Sequence, residues 1–239
     1  MNYTDLEIII PIYNEGDKIL KLMDLFHNNV KTNFKVLLCY DSFEDNVFEH
    51  SYVLKKYPFE IFLIKNPKNG PLQAIKAGFE SGNSNAVIVY PADDFLNYQL
   101  IDKMYSKFTN GNDIVVASRF MKGGSMDNCP FIKSILVRTA SFTLYFLSSI
   151  PVRDASNGFR LFSRKLLKQI KIESKVGFAY SLELLVKCHR LKKNIVEIPA
   201  RWEERSEGES RFKVFKWLPQ YLKWYIYGLS TTWLKRKKI

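Results

Sequence analysis

Short apolar runs punctuate the first half of the chain. Residues 6–11, 36–40, 59–64, 86–90 and 114–118 are rich in Leu, Ile, Val, Phe and Tyr, the pattern of strands buried on both faces rather than half-solvated ones that alternate. Between them, Ile19, Leu22, Met23, Leu25 and Phe26, and later Leu72, Ile75, Ala77 and Phe79, recur at helical spacing, so crossover helices are expected. This alternation predicts an α/β fold, a doubly wound, mostly parallel sheet. Ligands of such sheets sit beyond the carboxyl ends of the strands. That rim would collect residues 13–17, 41–45, 66–70 and 92–95, which hold the polar clusters of the first half.

The second half is less regular. A Gly-containing loop (122–130) precedes an apolar helix candidate (131–149), a polar stretch (154–162), a helix near 180–191 and a strand at 195–199. From Arg211 onward, Phe215, Leu218, Leu222, Tyr225, Leu229 and Trp233 form one helical stripe and Lys213, Lys216, Gln220 and Lys223 another, predicting an amphipathic C-terminal helix that Pro219 should start or kink. The expected organisation is a single domain over 1–210, divided at residue 118, followed by a basic amphipathic tail over 211–239.

Composition narrows the class. With 239 residues and 46% hydrophobic content, the chain can bury a substantial core. Cys39, Cys129 and Cys188 are too scattered to suggest a disulfide framework or a zinc site. The N-terminus lacks the basic stretch and apolar core of a secretory signal. The longest uncharged apolar-rich run, 139–152, is shorter than the roughly 20 residues a spanning helix needs. A cytoplasmic protein, peripheral on the inner face of a membrane, is expected.

Charge then separates the halves. Residues 1–118 hold 11 basic and 15 acidic residues, net −4, whereas 119–239 hold 25 and 9, net +16. The basic half suits an anionic membrane surface, nucleic acid or a phosphorylated substrate. Nucleic acid is set aside because the sequence carries no recognisable binding module, and its aromatics accompany an apolar stripe rather than a stacking array. The tail, ending Lys235-Arg236-Lys237-Lys238, fits a helix in the membrane interface, with core packing as the competing role.

Paired carboxylates directly after an apolar strand, Asp93 and Asp94, suit a hard divalent cation, Mg2+ or Mn2+, shared with substrate phosphates. A helix cap before Leu96 is the alternative. His27, His50 and His189 lie on helical patterns away from this chemistry.

In chain order stand Ile8-Ile9-Ile10-Pro11-Ile12-Tyr13-Asn14-Glu15, Tyr40-Asp41-Ser42-Phe43-Glu44-Asp45, and Pro91-Ala92-Asp93-Asp94. They are followed by Ala117-Ser118-Arg119-Phe120 with Gly123-Gly124, Asp154-Ala155-Ser156-Asn157-Gly158-Phe159-Arg160, and Arg205-Ser206-Glu207-Gly208-Glu209-Ser210-Arg211. Together they resemble family 2 glycosyltransferases of the nucleotide-diphospho-sugar (GT-A) fold, in the dolichol-phosphate mannosyltransferase-like branch, over residues 6 to 215. The resemblance implies an inverting transfer from a nucleotide-diphosphate sugar to a polyprenyl-phosphate or other lipid-linked acceptor.

It further implies that Pro11, Tyr13, Glu15 and Asp41, assisted by Asp45 and the turn at Gly70, hold the donor, and that a cation at Asp93 and Asp94 neutralises the leaving diphosphate. Arg119, Arg138, Arg205 and Arg211, with Ser210, would grip the acceptor phosphate through guanidinium forks. A phosphate acceptor needs little base assistance. A hydroxyl acceptor would need a proton acceptor, with Asp154 first and Glu183 second. Helix N-terminal placement for Glu15 and Asp45 and a turn-organising role for Asp154 are the structural alternatives.

Three departures from the family pattern stand out: Pro91 and Tyr40 replace aspartates, and Asn69-Gly70-Pro71-Leu72-Gln73 replaces a Gly-x-Gly turn. Two other readings follow: a transferase using a sugar hydroxyl in surface polysaccharide synthesis, and a catalytically silent nucleotide-sugar-binding scaffold.

Overall fold

The computed structural model of the protein describes residues 4–203 and 214–233. The first half alternates β1 (Leu6–Pro11), α1 (Gly16–Asn29), β2 (Phe34–Tyr40), a 3-10 turn (Asn46–His50) leading into α2 (Ser51–Leu54), β3 (Ile61–Lys65), α3 (Pro71–Ser81), β4 (Ala86–Val89), α4 (Leu100–Thr109) and β5 (Ile114–Ser118). The second half runs β6 (Ser125–Asp127), α5 (Phe131–Ser148), β7 (Arg160–Ser163), α6 (Arg164–Gln169), α7 (Ala179–Arg190), β8 (Ile195–Pro199), β9 (Arg201–Glu203) and α8 (Val214–Trp233).

Seven strands form one sheet in the order β3-β2-β1-β4-β7-β5-β8, and β6 pairs with β9 in a separate ribbon. β1 to β4 are mutually parallel, as are β5 and β8. β7 runs antiparallel between β4 and β5. The mostly parallel sheet matches the expectation, but β7 had no signal in the apolar pattern because this short strand opens on a charged residue, Arg160.

Burial on both faces explains the unbroken apolar runs. Ile8 and Ile10 pack with Phe26 and Met23 on the α1 side, whereas Ile9 packs with Ala74 of α3 on the other. α3 approaches so closely that a Cβ on Gly78 would lie 2.7 Å from the Ile9 side chain. Cys39 and Cys188 are free and buried, and burial pushes the Cys39 thiol up to about 12.

α8 corrects the reading of its stripe. Trp217, Trp224 and Gly228 turn inward and Tyr221, Tyr225 and Leu229 pack around them, while Leu222 lies exposed with Ile226. Two tryptophans seven residues apart set this register. Trp217 covers Gly177 and Phe178, and the Trp224 Nε1–H donates to Ser174 Oγ at 2.8 Å. The helix runs through Pro219 rather than starting there.

At the amino end of the sheet, the fully buried Glu7 carboxylate accepts from the backbone N–H groups of Asn83 (2.6 Å) and Ser84 (2.8 Å) and pairs with Arg164 and Lys35. Burial lowers the Arg164 pKa against the opposing pull of Glu7. Removing one partner of a buried pair strands the other, so Glu7→Ala should cost about 3–5 kcal/mol in urea unfolding. The double change Glu7→Met/Arg164→Met should recover part of that loss.

Candidate active site

The parallel strands end on one rim, and three loops there are fastened by carboxylates. Asn14, in the left-handed region at φ 52°, presents its N–H to Asp45 Oδ2 at 2.9 Å. Asp45 Oδ1 accepts from Val47 N at 3.0 Å, capping the 3-10 turn, and Asn46 Oδ1 accepts from Gly16 N at 2.9 Å. Asp45 therefore takes the capping role that was its structural alternative and also ties the β1 loop to the β2 loop. Glu15 is buried at the start of α1 and pairs with Lys18 at 2.8 Å. Pro11 closes β1, and Tyr13 beyond it stays 53% exposed on the rim.

Asp41 fastens the third loop. Its carboxylate accepts from Asn66 Nδ2 at 2.6 Å and from Gly70 N at 3.0 and 3.1 Å. Gly70 sits at φ 110°, a backbone conformation that glycine adopts without strain, directly before Pro71 opens α3. Tyr40, standing where an acid was expected, is buried and packs edge-on against Phe48 and Phe43.

At the end of β4 the two neighbouring carboxylates part company. Asp94 accepts from Leu96 N (2.9 Å), Asn97 N (3.0 Å) and Asn97 Nδ2 (2.7 Å). Burial raises its pKa and these bonds oppose the shift. Asp94, the second of the two carboxylates expected at a cation, thus caps the turn after β4. Asn97 continues to β9, exchanging bonds with Arg201 O (2.6 Å) and Arg201 N (3.0 Å).

Asp93 remains half-buried on the rim. Among the described residues, no three His, Cys, Asp or Glu side chains converge on one point. That donor set fits a divalent cation whose other ligands are substrate phosphate oxygens and water, and does not fit a cage built by protein alone.

Beyond β5 lies a buried charged node. Asp154, fully enclosed, accepts from Arg119 N (3.0 Å), Arg119 Nε (2.7 Å) and an Arg119 terminal nitrogen (3.0 Å). Ser156 N and Asn157 N add two more bonds at 3.1 Å. Arg160, also fully buried, donates to Ser181 O and Ala155 O. Its pKa falls to about 10, because burial outweighs the pull of Asp154. Burial alone would raise the Asp154 pKa, but Arg119 and Arg160 hold it below the ordinary range.

Neither proton-acceptor candidate is placed for that role. Asp154 is the architectural anchor, and Glu183 is fully buried, accepting from Glu173 N and Ser174 N and pairing with Lys187 at 2.7 Å. Arg119 is likewise fixed rather than reaching outward, a buried positive charge under the rim. Arg138 is exposed on α5 and stacks over the Phe120 ring at 4.8 Å, with Arg119 over the same ring at 5.1 Å. Arg205, Ser210 and Arg211, together with residues 234–239 of the tail, lie outside the described residues. The structure thus gathers Tyr13, Glu15, Asp41, Asp45, Gly70 and Asp93 on one rim, and links Arg119 and Arg138 through Phe120. Asn66, Asn97, Ser156 and Arg160 belong to this framework and were given no individual role from the sequence.

Known proteins share the sequence family and the fold. The family model described as "Glycosyl transferase family 2" matches residues 7–171. The chain is 27% identical over 220 residues to the dolichol-phosphate mannosyltransferase of Pyrococcus furiosus, an alignment covering 89% of this chain and 61% of that protein. It is 24% identical to the polyprenol monophosphomannose synthase of Mycolicibacterium smegmatis, over 88% of this chain and 85% of the other. The chain thus spans about three fifths of the archaeal relative's length. Among solved structures, glucosyl-3-phosphoglycerate synthase from Mycobacterium tuberculosis with Mn2+, UDP-glucose and phosphoglyceric acid shares the fold. Its TM-score is 0.68 at 13% identity, over 95% of this chain and 80% of that one.

The Asp154 node predicts a pH signature. A carboxyl whose folded pKa lies below its unfolded value, about 3.9, stabilises the fold above that value and loses the contribution as pH falls through the folded pKa. Asp154→Asn should cost about 3–5 kcal/mol at pH 7, with the gap from wild type narrowing below about pH 4 in denaturant titrations. A proton-acceptor role would instead leave stability intact and shift the pH profile of turnover.

Proposed function

The chain belongs to glycosyl transferase family 2, and from that premise we propose that it transfers a sugar from a nucleotide-diphosphate donor on the strand-end rim to a polyprenyl-phosphate acceptor at a membrane surface. The carrying observation is that Asp93 follows β4, whose last residue Val89 pairs with Arg160 of β7, so that Arg160 and the Arg119–Asp154 pair put a buried excess of positive charge next to the end of that strand. Such a site attracts two phosphorylated ligands at once, and fixed cations offset the repulsion between them. The names of the two curated relatives, a dolichol-phosphate mannosyltransferase and a polyprenol monophosphomannose synthase, support the acceptor class.

In this reading Asp41, Asp45 and Glu15 shape the loops around the nucleoside, and Tyr13 offers an exposed ring beside them. Asp93 would hold a Mg2+ or Mn2+ ion that neutralises the departing diphosphate. A phosphate oxygen of the acceptor attacks the anomeric carbon, the bond to the diphosphate oxygen breaks, and configuration inverts. No proton need be removed, because a phosphate is already ionised near neutral pH. The engagement of Asp154 and Glu183 in buried ion pairs favours this acceptor over a sugar hydroxyl.

Thermal unfolding with UDP, GDP, CDP and dTDP, with and without Mg2+ or Mn2+, tests the donor half. A nucleotide at about 100 times its dissociation constant should stabilise the protein by about 2.7 kcal/mol. That gain should depend on metal and vanish in Asp93→Ala. Transfer to polyprenyl phosphate should fall about 100-fold or more in the same variant. Turnover only on lipid-linked sugar hydroxyls would replace the acceptor, and tight nucleotide binding without any transfer would favour a silent scaffold.

A further inference from the structure

The seven-stranded sheet ends on β8, which pairs with β5 on one side only. Asn194 O accepts from Ile114 N at 3.2 Å, and Ala200 N donates to Ser118 O at 2.9 Å. Alternate residues of a parallel strand bond the same neighbour, so Val196 and Ile198 also spend their main-chain groups on β5. Ile195 and Glu197 turn their N–H and C=O groups the other way. Pro199 has no N–H and ends that row. Two successive residues with a donor and an acceptor each thus lie along an edge that no described strand covers.

A groove runs beside that row. Val196 and Ile198 pack with Leu100 and Met104 of α4, whereas Ile195 packs on the α7 side of the sheet. Between α4 and the end of β8 lies a cavity of about 400 Å³, lined by Leu100, Ile198 and Pro199 and flanked by Lys103 and Lys107. The two lysines stand one helical turn apart and are exposed. Asp102, the carboxylate beside them, is already taken by Lys31 N (3.1 Å), Thr32 N (2.9 Å) and Thr32 Oγ1 (2.7 Å). On the opposite face of β8, the Glu197 carboxylate is held by Arg153 at 2.9 Å, clear of the groove. Main-chain groups, an apolar floor and two exposed ammonium groups therefore lie side by side.

We propose that this groove docks an extended acidic segment of a partner protein, which joins the sheet as an added strand beside β8. Main-chain bonds to Ile195 and Glu197 hold the segment, and one apolar side chain fills the cavity over Leu100 and Ile198. Carboxylates two residues away on the same face of the segment meet Lys103 and Lys107. Charge selects this occupant over a second copy of the chain, because two-fold pairing of β8 with itself would bring Lys103 and Lys107 of both copies toward one seam. The proposal stands apart from the transferase reading, since neither the β8 edge nor the α4 lysines belong to the donor rim.

Fluorescence anisotropy of the full chain tests the proposal, with a labelled peptide in which glutamate, valine and glutamate alternate with threonine, beside the same peptide carrying lysine for glutamate. Wild type should bind the acidic peptide. Lysine in the peptide, or Lys103→Glu/Lys107→Glu in the protein, should weaken binding about tenfold or more. Both lysines are exposed, so the unfolding midpoint of the variant should match wild type. In amide hydrogen exchange the peptide should protect Ile195 and Glu197 and leave Val196 and Ile198, already bonded to β5, unchanged. Methylating the peptide's backbone nitrogens should remove both binding and protection. The proposal is overturned if the acidic peptide does not bind, if both peptides bind equally, or if protection appears away from β8. It is equally overturned if sedimentation shows a dimer that protects these two amides without peptide, which would assign the edge to a second copy.

Discussion

Asp154 holds its charge where water does not reach, and much of the second half is arranged around that fact. A carboxylate taken out of water into the protein interior would protonate unless donors and opposite charge surrounded it. Here Arg119 supplies two side-chain bonds and its backbone N–H, and Ser156 and Asn157 supply theirs. Asn157 then donates to Ala117 O of β5, and Ala155 N reaches Ser141 on α5. One ionised group thereby fixes the end of β5, the loop entering β7 and the inner side of α5. Apolar side chains could fill the same volume at comparable stability, but they would not leave the Arg160 guanidinium buried near an Arg119–Asp154 pair that is already neutral. That surplus positive charge is what a phosphate-handling rim requires from the layer beneath it.

The rim itself poses the opposite problem. Strand-end carboxylates facing a diphosphate repel it, so most of them are turned to internal work. Asp41 is held by Asn66 and the Gly70 N–H, Asp45 by Asn14 and Val47, and Asp94 by Leu96 and Asn97. The two positions where an aspartate is missing fit the same economy of charge. Tyr40 fills an aromatic cluster with Phe43 and Phe48, and the Pro91 carbonyl accepts from Asp94 N in the turn after β4. Each replacement removes a negative charge from the side where a donor diphosphate would lie.

The parallel framework was legible because strands buried on both faces write themselves as apolar runs. β1 and β5 begin and end where the runs at 6–11 and 114–118 do. β7 escaped because Arg160 opens it, and a buried arginine looks in sequence like a surface one. The same blindness affected the site. Which carboxylates lie on the rim followed from topology, but whether each was engaged depended on partners far along the chain. Arg119 and Asp154 are 35 residues apart, and Asn97 meets Arg201 at a separation of 104. Glu183 is the instructive exception, since its partner Lys187 lies one helical turn away, within reach of local spacing.

α5 and α8 show where helical periodicity stops being informative. Periodicity measures contrast between two faces, not what either face touches. α8 buries Trp217 and Trp224 against Gly177 and Ser174, while Leu222 and Ile226 stay exposed. α5 turns Ser141, Leu144 and Ser148 toward the domain and Phe131, Ile132, Phe142 and Phe146 toward solvent, so its large apolar residues are the ones left exposed. On the same helix, Arg138 stacks on the Phe120 ring that also carries Arg119, so α5 is tied to the charged node by one aromatic side chain. The stack lies wholly in the basic second half of the chain, whereas β1 to β4 belong to the acidic first half.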